Sequence, residues 1–307
     1  MLWEELREEE FEDALEKCGK VCVIPMGCIE KHGQHLPVGT DTYISESIAI
    51  AASELEEFMI FKPGFWFGEV AAFHADKNPS AVRRMGNIAM KPETILNVLE
   101  ELCDEIARNG FNKILIVNSH GGNVHLLNHF LRCQTYEDKP YSTMWTWNSD
   151  YDKDMLPDEL LKIIESRRDD FPMITEEDME TLRQWAPRGW GGGHADFTET
   201  ALVMADRPDL IASDRYESEN GERQTRIDPL ALCPNYTRPE EMRWELSIAN
   251  AWYATSPNCY TGHPPHGCSV GIGQAMKKIS IERLADMIKR IKESDDIYNV
   301  VCMDRNK

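Results

Sequence analysis

Between Glu30 and Asp41 the chain reads Glu-Lys-His-Gly-Gln-His-Leu-Pro-Val-Gly-Thr-Asp, which places two carboxylates and two imidazoles within a dozen residues. Carboxylate with imidazole suits Zn²⁺, Mn²⁺ or Fe²⁺, and does not suit Ca²⁺, which takes only oxygen. Glu30 and His32 are two apart, so an extended chain sends both side chains to the same side. Gly33 and Gly39 permit the tight turns that would return Asp41 to that side. Taken alone, the run also reads as a polar loop with solvated charges. A second cluster, Asn118-Ser119-His120-Gly121-Gly122-Asn123, has one imidazole beside two glycines, where His120 is either a ligand or a hydrogen-bonded loop residue. A third, His194-Ala195-Asp196-Phe197-Thr198-Glu199-Thr200, follows a glycine triplet. Glu199 can complete a metal shell or carry a proton, and His194 is a natural general acid or base near neutral pH. His35, His125 and His129 are read as structural, although the last two lie four apart on one helix face.

The elements that must position these clusters are legible as apolar runs. Val21-Cys22-Val23-Ile24-Pro25 precedes the first cluster and Ile114-Leu115-Ile116-Val117 the second. Strands are expected at 21–26, 58–62, 113–118 and 141–146, and helices at about 3–17, 42–56, 92–109 and 122–135. Ile95, Leu96, Val98, Leu99, Leu102 and Ile106 give the clearest helical period, opened by Lys91-Pro92-Glu93 and closed by Asn109-Gly110. Strands alternating with helices predict βαβ units and a largely parallel sheet covered by helices. Ligands of such sheets bind beyond the carboxyl ends of the strands, where the first two clusters fall. One domain spanning 1–307 is expected, with a helical insertion at about 150–190, an irregular polar stretch at 215–245 and a last helix at about 280–293.

Composition narrows the function. Acidic residues outnumber basic ones by 53 to 33, for a formal charge of −20, so nucleic acid and anionic lipid are excluded as partners. No apolar run approaches the roughly 20 residues needed to span a bilayer. The acidic, amphipathic start is the opposite of a signal peptide. Nine cysteines without a C-x-x-C pair read as reduced thiols in a cytoplasmic protein.

Taken in order, Glu-x-His-Gly-x-His-Leu-Pro-x-Gly-Thr-Asp, Asn-x-His-Gly-Gly-Asn and His-Ala-x-x-x-Glu-Thr resemble the creatininase (creatinine amidohydrolase) family. The turn Gly262-His263-Pro264 resembles that family's late Gly-x-Pro loop. The resemblance implies a three-layer α/β sandwich with a mainly parallel central sheet flanked by helices. It also implies a centre of two divalent ions (zinc or manganese, with iron as a further option), a small-molecule substrate and a homo-oligomer, commonly a hexamer. By the same resemblance Asp41 bridges the ions, Glu30 and His120 hold the first, and His32 holds the second. Creatinine-cleaving members carry a glutamate where this chain has Gly122; in other branches the residue matching Glu199 supplies that ligand. His194 matches the proton shuttle, and Trp190 a tryptophan that flanks the substrate.

Departures from the pattern bear on substrate. Cys28 and Lys31 replace the usual Ser and Gln of the first motif, and Ser119 replaces a Gly. The family's compact substrate loop is replaced by Gly68 through Asn87, which carries His74, Asp76, Lys77, Arg83 and Arg84. That stretch is either a charged exposed loop or a reshaped pocket in which His74 and Arg83 meet a more polar or anionic substrate. The expected activity is hydrolysis of a non-peptide C–N bond, in a cyclic amide, by a metal-activated water. The alternatives are a relative acting on a pyrimidine-nucleotide formamide, a peptidase of cofactor maturation, a hydrolase opening a keto-inositol ring, and a non-catalytic metal or small-molecule binder.

Overall fold

The computed structural model describes residues 1–62, 67–70, 86–148, 157–188, 193–218 and 258–294. Its centre is a parallel sheet of β1 (Val21–Met26), β2 (Met59–Ile60), β3 (Lys113–Asn118) and β4 (Ser142–Trp147), in the order β2-β1-β3-β4. β1 and β3 pair along their whole length, Val21 opposite Lys113 and Met26 opposite Asn118. Their carboxyl ends therefore stop level with each other, which sets the first two polar clusters side by side. The second expected strand is shorter than its apolar run, because only Met59 and Ile60 find partners, on Cys22 and Val23.

Successive residues of a strand face opposite sides of the sheet, and here both sides are covered. Val21, Val23, Leu115 and Val117 face one apolar cluster. Cys22, Ile24, Met26, Ile114 and Ile116 face the other. The second cluster is closed by α1 (Phe11–Lys17), α3 (Pro92–Arg108) and α4 (Asn123–Cys133). The first is closed by α2 (Thr40–Ala52), α5 (Pro157–Ser166), α6 (Glu176–Trp185), α7 (Phe197–Asp206) and α8 (Val270–Glu293). The result is the helix-covered parallel sheet expected from the alternation, in the three-layer sandwich that the family resemblance implies. From the 150–190 stretch, Leu160, Ile164, Met179, Leu182 and Trp185 join the same core as β1 and β3. The segment 219–245 of the polar stretch lies outside the described residues, while 213–218 form a 3-10 turn.

Two helices differ from their expected bounds for physical reasons. The N-terminal pattern breaks because Leu6 and Arg7 are extended, so two 3-10 turns precede a helix that begins only at Phe11. The Arg7 backbone N–H donates to Glu10 Oε2 at 2.7 Å, a capping interaction that starts a new turn. α8 begins ten residues before position 280, at Val270, with the Ser269 hydroxyl accepting from the Ile272 N–H at 3.0 Å. Its first turn holds Gly271 and Gly273, ahead of the expected helix. A Cβ at Gly273 would lie 1.9 Å from the Ala201 carbonyl oxygen, so the glycine is what lets α8 seat directly on α7. Among the described residues no helix is long and apolar enough to cross a membrane. The seven described cysteines are all free thiols.

Candidate metal centre

Beyond Met26 the chain stays extended: Ile29 bridges Ile88, and Cys28, Glu30 and His32 alternate onto one side. Gly33 then turns with φ +56, its N–H donating to the Cys259 carbonyl at 2.7 Å. Gly39 differs from expectation. At φ −95 it occupies a conformation open to any residue, and it serves as the cap of α2. The close approach lies instead at Gly27, where a Cβ would meet the Thr42 nitrogen at 2.3 Å and the Asp41 carbonyl carbon at 2.6 Å. The missing side chain lets the first turn of α2 rest on the end of β1, and Asp41 lands beside Cys28. Asp41 and Glu199 both sit in first helical turns, where the helix dipole favours a carboxylate.

Two donor sets meet at Asp41. One comprises Cys28, Glu30, Asp41 and His120, and the other His32, His194 and Glu199; within each set the ligand atoms lie within 4.8 Å of one another. Asp41 faces both: Oδ1 is 3.0 Å from His32 Nε2, and Oδ2 is 2.9 Å from His120 Nδ1. Glu30 Oε2 approaches His120 Nδ1 at 3.6 Å, and Glu199 Oε2 approaches His32 Nε2 at 3.6 Å. Glu30, His32, Asp41, His120 and Glu199 are all buried.

Backbone carbonyls select the ring nitrogen each histidine presents. Because a carbonyl only accepts, His32 Nδ1 donates to Glu30 O at 3.0 Å, and His120 Nε2 donates to Glu69 O at 3.1 Å. The other nitrogen of each ring faces the carboxylates. His194 Nε2 donates to Lys31 O at 2.8 Å, and its ring stacks on His32 with centroids 4.0 Å apart. Metal-binding histidines are held in this way, by outer hydrogen bonds that fix tautomer and orientation. The second motif's amides complete the frame. Asn118 and the His120 backbone exchange hydrogen bonds, and Asn123 donates to Gly27 O at 3.1 Å while accepting from the Glu69 N–H at 2.8 Å. The Ser119 hydroxyl donates to the Asp41 carbonyl.

The titration behaviour follows from this packing. Burial alone would lower His32 and His120, but the hydrogen bonds and charges of Asp41 and Glu30 prevail. They raise His32, and they raise His120 to about 9. Burial works against ionised Asp41 as well, yet the two histidines hold it well below the usual carboxylate range. Burial, then the charge of His32, pulls His194 down to about 4, so it is a neutral imidazole near pH 7. Burial pushes the Cys28 thiol well up. Imidazoles and carboxylates gathered this closely are donors that fit divalent transition ions.

Of the other residues singled out, Trp190, His74 and Arg83 lie outside the described residues, as do Asp76, Lys77 and Arg84. His125 and His129 are exposed on α4. His35 is buried with Nε2 at 2.9 Å from the Thr200 hydroxyl. Cys28 went unrecognised as part of the cluster, although it sits two residues before Glu30 on the same extended run.

The chain is thus a three-layer α/β sandwich with buried imidazoles and carboxylates gathered at the ends of its parallel strands. The creatininase family model, described as creatinine amidohydrolase, matches residues 4–288, and the chain belongs to that family of hydrolases. A creatinine amidohydrolase from Pseudomonas putida is 22% identical over 218 residues, 69% of this chain and 74% of that protein. A mycofactocin precursor peptide peptidase from Mycobacterium ulcerans (strain Agy99) is 24% identical over 202 residues, 64% of this chain and 63% of that protein. Among solved structures, a mutant creatininase of Zn-Zn type shares the fold with a TM-score of 0.64 at 18% identity, covering 95% of this chain and 98% of that one.

Proposed function

We propose that this chain is a metal-dependent amidohydrolase that cleaves a non-peptide C–N bond, with a cyclic amide as substrate. The observation that carries the reading is Asp41, which turns one oxygen toward His32, itself approached by Glu199, and the other toward His120, itself approached by Glu30. In this reading Glu30, Asp41 and His120 hold one divalent ion, zinc or manganese, and His32, Asp41 and Glu199 hold the second. When bound, such ions act as Lewis acids on a carbonyl and make water acidic enough to ionise near neutral pH.

The chain's own residues do the rest. His194 is half-buried beside the cluster, with its Nε2–H committed to the Lys31 carbonyl. In the neutral ring Nδ1 carries the lone pair, so it can take a proton from the attacking water and return it to the leaving nitrogen. The His194–Thr261 bridge fixes the backbone on which that ring sits, with N–H···O distances of 2.8 and 3.0 Å. Trp190, His74 and Arg83 are assigned to the substrate, Trp190 to cover a flat ring and Arg83 to meet polar or anionic groups. Similarity to the mycofactocin peptidase supports a second reading, hydrolysis of a different substrate by the same residues.

Turnover of the metal-loaded protein against cyclic amides, formamides, short peptides and keto-inositols tests the proposal, with elemental analysis alongside. Cleavage of a cyclic amide by protein with two bound ions is expected. Cleavage of peptides alone would transfer the assignment to the second reading, and protein that takes up no metal would refute both.

A further inference from the structure

We infer that Cys28 is a fourth ligand, as a thiolate, to the ion held by Glu30, Asp41 and His120. This rests on the preceding reading that those three residues hold a divalent ion. Cys28 Sγ lies 3.0 Å from Asp41 Oδ2, the same oxygen that His120 Nδ1 meets at 2.9 Å. Its sulfur, a Glu30 oxygen, an Asp41 oxygen and a His120 nitrogen are mutually within 4.8 Å, and all four residues are buried. Four donors that close together match the tetrahedral count of a zinc site.

Among the described residues, the second motif adds only His120 to this set. Gly122 is the nearby residue that adjoins the His120 ring, and a Cβ there would lie 2.4 Å from Glu69 O and 2.5 Å from His120 Nε2. No side chain at 122 fits without dislodging the hydrogen bond that orients His120. Cys28 joins the set from the run that also carries Glu30. Binding replaces the S–H bond by a metal–sulfur bond, and the proton leaves to solvent. A thiolate also biases the first position toward zinc over manganese, since soft sulfur suits zinc while manganese prefers oxygen.

Cobalt(II) titration of the metal-free full-length protein tests the inference by absorption spectroscopy, without reference to turnover. The native protein is expected to show ligand-field bands together with a near-ultraviolet thiolate-to-cobalt charge-transfer band. Cys28→Ser should keep the ligand-field bands and lose the charge-transfer band. Its zinc affinity should drop by more than the ~10–100-fold that loss of an outer-shell partner costs. Ligand-field bands without a charge-transfer band in the native protein would overturn the role of Cys28 and leave the metal-site reading standing. A charge-transfer band that survives in Cys28→Ser would likewise assign the sulfur elsewhere. No cobalt uptake at all would overturn the metal-site reading and this inference with it. Should the variant fail to fold, zinc-edge X-ray absorption of the native protein decides, by the presence or absence of sulfur at about 2.3 Å.

Discussion

Replacing Asp41 by Asn isolates what the carboxylate proposed to bridge the ions does, because size is kept and charge is lost. In the ion-free protein Asp41 receives N–H groups from His32 and His120 on its two oxygens. Asn offers one acceptor and one NH₂, so one histidine N–H meets a donor. His120 stands at about 9 against an ordinary 6.5, with the Asp41 hydrogen bond the foremost contribution opposing burial. At 1.36 kcal/mol per unit, the protonated His120 adds on the order of 2–3 kcal/mol of stability at pH 7. Asp41→Asn should therefore cost the ion-free protein on the order of 2 kcal/mol. The sign with pH is fixed by the raised value: the His120 stabilisation is complete below about 6.5 and is lost as pH rises through about 9. The gap between native and variant also requires ionised Asp41, so it is fully present above its ordinary 3.8 and closes in stronger acid. Urea denaturation of both ion-free proteins between pH 5 and about 9.5 reads the gap. Equilibrium dialysis of the variant should show that neither ion is retained. A gap that widens toward pH 9, or a variant that holds two ions as tightly as the native protein, would refute the bridging role.

Three further outcomes follow from the same geometry. His194→Ala should retain both ions while turnover falls about 10²–10⁴-fold; loss of metal would make His194 a ligand of the second set. Metal affinity should rise about tenfold per pH unit for each proton displaced, levelling off above about pH 9 as His120 becomes neutral. Calorimetry in two buffers of different protonation enthalpy counts those protons, and identical heats would contradict it. Gly27→Ala should cost ~1–3 kcal/mol by pushing α2 off the end of β1, and should weaken metal binding through Asp41. Denaturation with parallel dialysis checks both effects, and a neutral variant would mean the seat of α2 is elsewhere.

What sequence made legible was what depends on near neighbours. The apolar runs at β1 and β3 mark strands that are buried on both faces, and the polar clusters follow directly at their ends. Gly271 and Gly273 disguised ten residues of α8, because their packing role depends on Ala201 in a distant segment. The N-terminal acidic stretch carried helical spacing but broke where Leu6 and Arg7 extend. In the candidate centre, Glu30 and His32 share a side of one extended run, a local property. The carbonyls that choose each tautomer come from Glu30, Glu69 and Lys31, and the last of these sits 163 residues from the ring it holds. The Asn118–Asn123 amide frame and the Cys28–Asp41 contact are tertiary facts of the same kind.

α8 packs on both α7 and α2, the helices whose first turns carry Glu199 and Asp41. Every proposed ligand is already present by residue 199, yet the helix that clamps two of their scaffolds together begins only at Val270. During synthesis the ribosome therefore releases all the donor groups well before their spacing is locked. Assembly of the proposed metal centre would then be a late step, and a chain cut ahead of Val270 would emerge with its donors intact but unassembled.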